Sequence, residues 1–116
     1  MIRKKDECQK ELRERMRDGN GIVEITNFIQ SPEEMSGKGR MFSRITLKPG
    51  CSIGFHVHET DSELFYFLSG NAKYNDNGEI RDVEAGDVTL CPAGTGHGVE
   101  NASDDLVEII AVIVYK

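Results

Sequence analysis

An all-β domain, closed into a barrel or a double-sheet jelly roll, is the fold class this sequence predicts, and three observations predict it. From Ile22 onward, β-branched and aromatic residues gather in short runs, turn residues separate those runs, and apolar and polar side chains alternate within them. Eight or nine such strands in under a hundred residues suit a closed or two-layered sheet.

The elements follow in order. Residues 3–18 hold twelve charges in sixteen positions, and Cys8, Leu12 and Met16 recur every four residues. That pattern predicts a solvated helix or a loose arm with one thin apolar stripe, ended by Gly19-Asn20-Gly21. So thin a stripe must dock against something to stay ordered. We therefore divide the chain into a charged arm or short helix, residues 1–21, and a β-barrel domain, residues 22–116. The strand runs are Ile22 to Ile29, Met41 to Leu47, Ile53 to His58, Glu63 to Leu68, Ala72 to Asn75, Ile80 to Val83, Val88 to Cys91, Gly98 to Glu100 and Leu106 to Tyr115. Between two of them, Asn77-Gly78 is a strong hairpin signal.

Strand parity then assigns faces. On the 41–47 run, Met41, Ser43, Ile45 and Leu47 face inward and Phe42, Arg44 and Thr46 outward. On the last run Glu108 marks the outside, which leaves Val107, Ile109, Ala111, Ile113 and Tyr115 inside. The expected pocket is mostly apolar, lined by Ser43, Ile45, Ile53, Phe65, Phe67, Val99, Ile109 and Ala111. No lysine or arginine is expected inside it, which argues against polyanionic substrates, since these want a fixed cation. Leu64, Tyr66 and Leu68, with Ile110, Val112 and Val114, make outer faces apolar too. Such faces need a cover, either the chain's own amino-terminal segment or a second copy, and a homodimer is expected.

Composition bounds the rest. The formal charge is −6, with the acidity concentrated beyond residue 18, so nucleic acid is not an expected partner. No apolar run approaches the roughly 18 residues of a membrane-spanning helix, and no membrane partner is expected. The three cysteines, Cys8, Cys51 and Cys91, show no C-x-x-C spacing, so neither a disulfide framework nor a thiolate metal knot is indicated. A reducing, cytoplasmic setting fits them best.

The chemistry lies in the three histidines. His56 and His58 are two apart on one strand and leave the same face. After a turn the next strand carries Glu63 on the same face as Phe65 and Phe67, an acid on an apolar surface whose ionisation needs a cation or hydrogen bonds. His97 lies among Gly94, Gly96 and Gly98 and can converge on the same place from a neighbouring strand, which its glycine neighbours should leave less stiff than bulkier residues would. The run Gly50, five residues, His56, one, His58, four, Glu63, six, Gly70 resembles the first motif of the cupin family at every fixed position. Gly86, five residues, Pro92, one, Gly94, two, His97, three, Asn101 resembles the second.

That resemblance implies a double-stranded β-helix, the jelly-roll barrel of cupins, with metal ligands at His56, His58, Glu63 and His97. Three imidazoles and a carboxylate suit a divalent transition metal such as Mn, Fe, Co, Ni, Cu or Zn, with positions left open for a small molecule. The expected function is that of a small metalloenzyme acting on a small organic substrate, of dioxygenase, isomerase, decarboxylase or lyase type. The alternative is a non-enzymatic module that binds a small ligand or senses the metal.

Overall fold

The structure, a computed structural model, describes residues 1–116. It contains ten strands: β1 (Gln9–Glu14), β2 (Ile22–Asn27), β3 (Gly39–Leu47), β4 (Ser52–His58), β5 (Asp61–Ser69), β6 (Asn71–Asp76), β7 (Glu79–Glu84), β8 (Val88–Cys91), β9 (Thr95–Glu100) and β10 (Val107–Tyr115). They form a six-stranded sheet in the order β1-β2-β3-β10-β5-β8 and a four-stranded sheet in the order β4-β9-β6-β7. Every pairing is antiparallel, and β4 and β5, consecutive in the chain, lie in different sheets. This is the all-β jelly roll expected, with β2 to β10 falling on the nine sequence runs. Between β6 and β7, Asn77 and Gly78 both have positive φ (51° and 104°), the primed hairpin geometry that matches strand twist.

The amino-terminal segment is not helical beyond two single 3-10 turns, Lys5–Glu7 and Met16–Asp18. Between them β1 pairs with β2 along its whole length, Leu12 opposite Glu24 and Glu14 opposite Ile22. The physical reason is that β2 would otherwise expose an unpaired edge, and backbone hydrogen bonds order the segment where its apolar stripe cannot. The four-residue recurrence is therefore not a packed stripe: Leu12 is 68% exposed, and Met16 alone of the three packs on the core. Arg3 ties the start of the chain down, donating to both carboxylate oxygens of Glu34 (2.8 Å each) and to the Phe28 carbonyl (2.7 Å).

Thirteen buried apolar residues fill the space between the sheets, among them Val23, Ile25, Leu47, Phe67, Val107 and Ile109. Burial alternates along β3 and β10 as parity requires, with two departures. Opposite Ile113 and Val114 of β10, β3 carries one extra residue, Arg40, and this bulge interrupts the alternation. Tyr115, expected inside, is 43% exposed, because it lies past that bulge at the end of β10. No helix is long and apolar enough to cross a membrane.

Candidate metal centre

His56 and His58 come from β4, His97 from β9 and Glu63 from β5, so the cluster joins the two sheets across the barrel. His97 is the register partner of His56. Between Ile53 and His56 the β4–β9 pairing shifts by one residue, and the bulge lets Ile53, His56 and His58 all address the interior. The glycines around His97 answer this bulge. A Cβ at Gly96 would lie 2.4 Å from the Phe55 ring, and one at Gly98 would lie 3.0 Å from the Phe55 nitrogen. They make room for close packing and leave His97 fixed: it is 1% exposed and stacks on Phe65 with centroids 5.0 Å apart.

Each imidazole has its Nδ1 engaged and its Nε2 turned inward. His56 Nδ1 donates to the Gly54 carbonyl (2.8 Å), His58 Nδ1 donates to Asp61 Oδ1 (2.6 Å), and His97 Nδ1 bonds to the Tyr74 hydroxyl (2.8 Å). The Nε2 of His58 then lies 3.2 Å from that of His56, 3.2 Å from that of His97 and 3.1 Å from Glu63 Oε1, which is 2.9 Å from His97 Nε2. All four donor atoms fall within 4.8 Å of one another.

This donor set fits a cation. A carbonyl and a carboxylate only accept hydrogen bonds, so His56 and His58 carry their neutral-form protons on Nδ1 and present bare lone pairs at Nε2. Lone pairs about 3 Å apart repel, and a shared cation or a captured proton relieves them. Metal bonds of about 2.1 Å put ligand atoms about 3.0 Å apart at right angles and about 3.4 Å apart in a tetrahedron. Four of the six donor separations, 2.9–3.2 Å, are close enough for His56, His58, Glu63 and His97 to hold one cation between them.

The local electrostatics agree. The hydrogen bond to Glu63, helped by Asp61 and opposed by burial, raises the pKa of His58 above its ordinary value. Burial lowers that of His56, and the neighbouring charges of His97, His58 and Arg17 act in the same direction. Burial works against ionisation of Glu63, yet its bonds to His58 and His97 prevail and hold its carboxyl below the usual range. Asp61 behaves likewise, through Arg40 and His58. Tyr74 is pushed up to about 12 by burial and stays a neutral phenol.

A cavity of about 280 Å³ opens beside His56, His58 and Glu63. Of the residues expected to line the pocket, Ile45, Ile53 and Phe65 do so. Phe67, Val99, Ile109 and Ala111 belong to the packed core below, and Ser43 is fully buried with its hydroxyl donating to Asn27 (2.8 Å). The expectation of a wall without cations is overturned: Arg13, Arg17 and Arg40 all line the cavity. Arg13 and Arg17 arrive with the amino-terminal segment, and Arg40 sits at the β3 bulge.

Sequence reading also passed over Asp61 and Tyr74, the side chains that orient His58 and His97. Asp61 shares the inward parity of Glu63, Phe65 and Phe67, but it precedes the apolar run that marks β5 in the sequence. Tyr74 has a weaker signal, its alternation with Lys73 and Asn75 on a short strand.

A jelly roll whose two sheets bring three imidazoles and a carboxylate to the mouth of an internal cavity defines a class, the metal-site barrels. The family model for the cupin domain matches residues 43–113, and the chain belongs to the cupin family. It is 38% identical over 114 residues to the oxalate-binding protein of Thermotoga maritima, covering 98% of this chain and 93% of that one. It is 39% identical over 103 residues to an oxalate decarboxylase of Arthroderma benhamiae, of whose length it spans only 23%. Among solved structures, a predicted oxalate decarboxylase from Thermotoga maritima superposes with a TM-score of 0.93 at 37% identity, covering 100% of both chains.

Proposed function

We propose that this chain binds a small dicarboxylate, oxalate or a near analogue, at a divalent transition metal held by His56, His58, Glu63 and His97. The observation that carries the reading is the joining, in one small cavity, of that ligand set with a wall bearing three guanidinium groups. Mn, Fe, Co, Ni, Cu and Zn all suit the donors. When bound, the metal supplies a Lewis acid that accepts carboxylate oxygens at its open positions. The chain's own residues do the rest. Asp61, Gly54 and Tyr74 hold the imidazoles in the tautomer that ligates, Ile45, Ile53 and Phe65 exclude water from one side, and the guanidinium of the wall that no carboxylate already pairs offsets anionic charge. The names of the relatives support oxalate as the first compound to try.

Calorimetric titration of metal-loaded and metal-free protein with oxalate and with acetate tests this. Oxalate is expected to bind the loaded protein at least about a hundredfold more tightly than acetate, and the metal-free protein hardly at all. Equal affinity with and without metal would refute the reading.

Turnover of the bound dianion is a second reading, favoured by Glu11, the one carboxylate on the cavity wall besides Glu63. A carboxyl group there is placed to give or take a proton. Formation of formate from ¹³C-labelled oxalate, lost in Glu11→Gln with binding kept, would support it; no product from metal-loaded protein leaves a binding module.

The outer face of the six-stranded sheet supports a homodimer. Leu64, Tyr66 and Leu68 of β5 and Val88 and Leu90 of β8 are a third to two-thirds exposed on adjoining strands, and a second copy would cover them. Sedimentation giving a monomer at micromolar concentration would remove that inference. The negative charge supports a small-molecule partner over nucleic acid, and three unpaired cysteines support a cytoplasmic setting.

A further inference from the structure

The three guanidinium groups on the cavity wall are not equivalent. Arg40 Nε donates to Asp61 Oδ2 and Arg13 Nε to Glu11 Oε1, each at 2.8 Å, so both charges are already matched by carboxylates. Arg17 lines the same cavity and has no carboxylate partner within the chain.

Its backbone is unusual as well. Arg17 has φ 54° and ψ 39°, and Arg15 and Asp18 are also left-handed, with φ 52° and 63°. L residues other than Asn, Asp and Gly seldom adopt this conformation, and it persists where surroundings impose it, characteristically at functional sites. Here β4 imposes it. A Cβ on Gly54 would stand 1.9 Å from the Arg17 carbonyl oxygen, and one on Gly19 would stand 2.3 Å from the Ser52 carbonyl oxygen. Ser52 N donates to the Asn20 carbonyl and Asn20 N to Ser52 Oγ, both at 2.9 Å, which locks the turn onto the strand. Gly54 therefore serves two tasks: its carbonyl orients His56, and its missing side chain seats the Arg17 turn. The position of this arginine is set by the same strand that carries the metal ligands.

We propose that Arg17 is the specificity-determining residue of the cavity, pairing with the carboxylate of a dianionic ligand that lies away from the metal and so selecting dicarboxylates over monocarboxylates. This rests on the functional reading above. One end of a dicarboxylate at the metal leaves a full negative charge at the other, and a guanidinium with no internal partner, carried on a turn locked to β4, meets it with a charge-assisted pair. Arg13 and Arg40 add little, since binding would have to compete with Glu11 and Asp61.

The test uses the full chain loaded with Mn, titrated calorimetrically with oxalate and with acetate, and with Mn alone followed by its electron paramagnetic resonance signal. In Arg17→Gln, oxalate is expected to bind about thirtyfold more weakly, with acetate and Mn each changed by less than about threefold. Arg17→Lys should recover part of the oxalate loss, and Arg13→Gln should change oxalate by less than about threefold. Arg17→Asn, better suited to the left-handed conformation, should melt no lower than wild type while binding oxalate as weakly as Arg17→Gln, which separates recognition from folding. Unchanged oxalate affinity in Arg17→Gln, or an equal loss for acetate and oxalate, overturns the assignment with the functional reading intact. Wild-type protein that takes up Mn but no oxalate overturns that reading and this inference with it.

Discussion

The cavity has two walls built on opposite plans. On one, His58, Glu63 and His97 are at most 5% exposed, come from β4, β5 and β9 across both sheets, and are held by hydrogen bonds, with His97 also stacked on Phe65. On the other, Arg13 and Arg17 sit on an edge strand and a left-handed turn, with side chains at the surface. A surface pair such as Arg13–Glu11 is worth about 0–1 kcal/mol to the fold. On the proposed reading the buried wall would set which cation is held and how firmly, and the exposed wall which anion joins it. Changes in the first should affect metal binding and everything that follows from it; changes in the second should leave metal binding alone.

The largest expected effect sharpens that contrast. His58→Ala removes the central ligand, the one whose Nε2 touches the other three donors. Metal affinity should fall by about a thousandfold or more, measured by competition with a chelator. The metal-free variant should still melt within a few degrees of metal-free wild type, because Asp61 keeps its bond from Arg40 and the crowding of lone pairs is relieved. Loss of the fold instead would show that the buried wall is a structural element before it is a binding site.

Acidity separates the walls next. In the metal-free protein the pKa of His58 is raised from 6.5, so its stabilisation is present below about pH 6.5 and is lost as pH rises through the folded value. That of His56 is lowered from 6.5, so its contribution is present above about pH 6.5 and is lost as pH falls through the folded value. Together these give a shallow maximum of melting temperature near pH 6.5. With metal bound, every ligand must be deprotonated, and stability should instead climb across pH 5–7 to a plateau. Identical profiles with and without metal would break the assignment.

Asp61→Asn should cost about ten- to a hundredfold in metal affinity, the usual effect of removing a carboxylate that supports a ligating histidine. An asparagine carbonyl still accepts from His58 Nδ1, so the loss measures charge more than geometry. A loss no larger than that caused by Arg13→Gln would erase the distinction between the walls.

The two walls also differ in how far sequence shows them. The cluster of His56, His58, Glu63 and His97 was legible on two grounds: strand parity puts His56 and His58 on one face and Glu63 beside Phe65 and Phe67, and the resemblance to the cupin motifs joins all four. The barrel was legible on the first ground, through alternation in β3, β5 and β10. The arginine wall was not. Residues 3–18 carry charge on every side, so neither helical nor strand periodicity emerges, and the pairing that makes β1 a strand comes from the open edge of β2. The left-handed turn at Arg17 depends on Gly54, far along the chain, and Gly54 bears no mark that it will seat another backbone. Arg40 reads as outward by parity, and only the bulge opposite Ile113 and Val114 explains its place on the cavity wall.

The smallest expected effect tests how the buried wall obtains its rigidity. Tyr74 supports His97 as Asp61 supports His58, but burial keeps its phenol neutral, and a neutral hydrogen bond contributes about 0.5–1.5 kcal/mol against about 1.5–3 kcal/mol when one partner is charged. Tyr74→Phe keeps the ring that packs against Phe65, Phe67 and His97 and removes only the hydroxyl. Metal affinity should fall by about three- to tenfold, since metal-bound His97 would then hold an Nδ1 proton with no acceptor. Without metal the loss in stability should be smaller, because His97 can place its proton on Nε2 and donate to Glu63 at 2.9 Å. Melting temperatures of both forms, set beside chelator competition, read the two effects separately. An effect as large as that of Asp61→Asn would mean that orientation alone, and not charge, is what the residues behind the imidazoles supply.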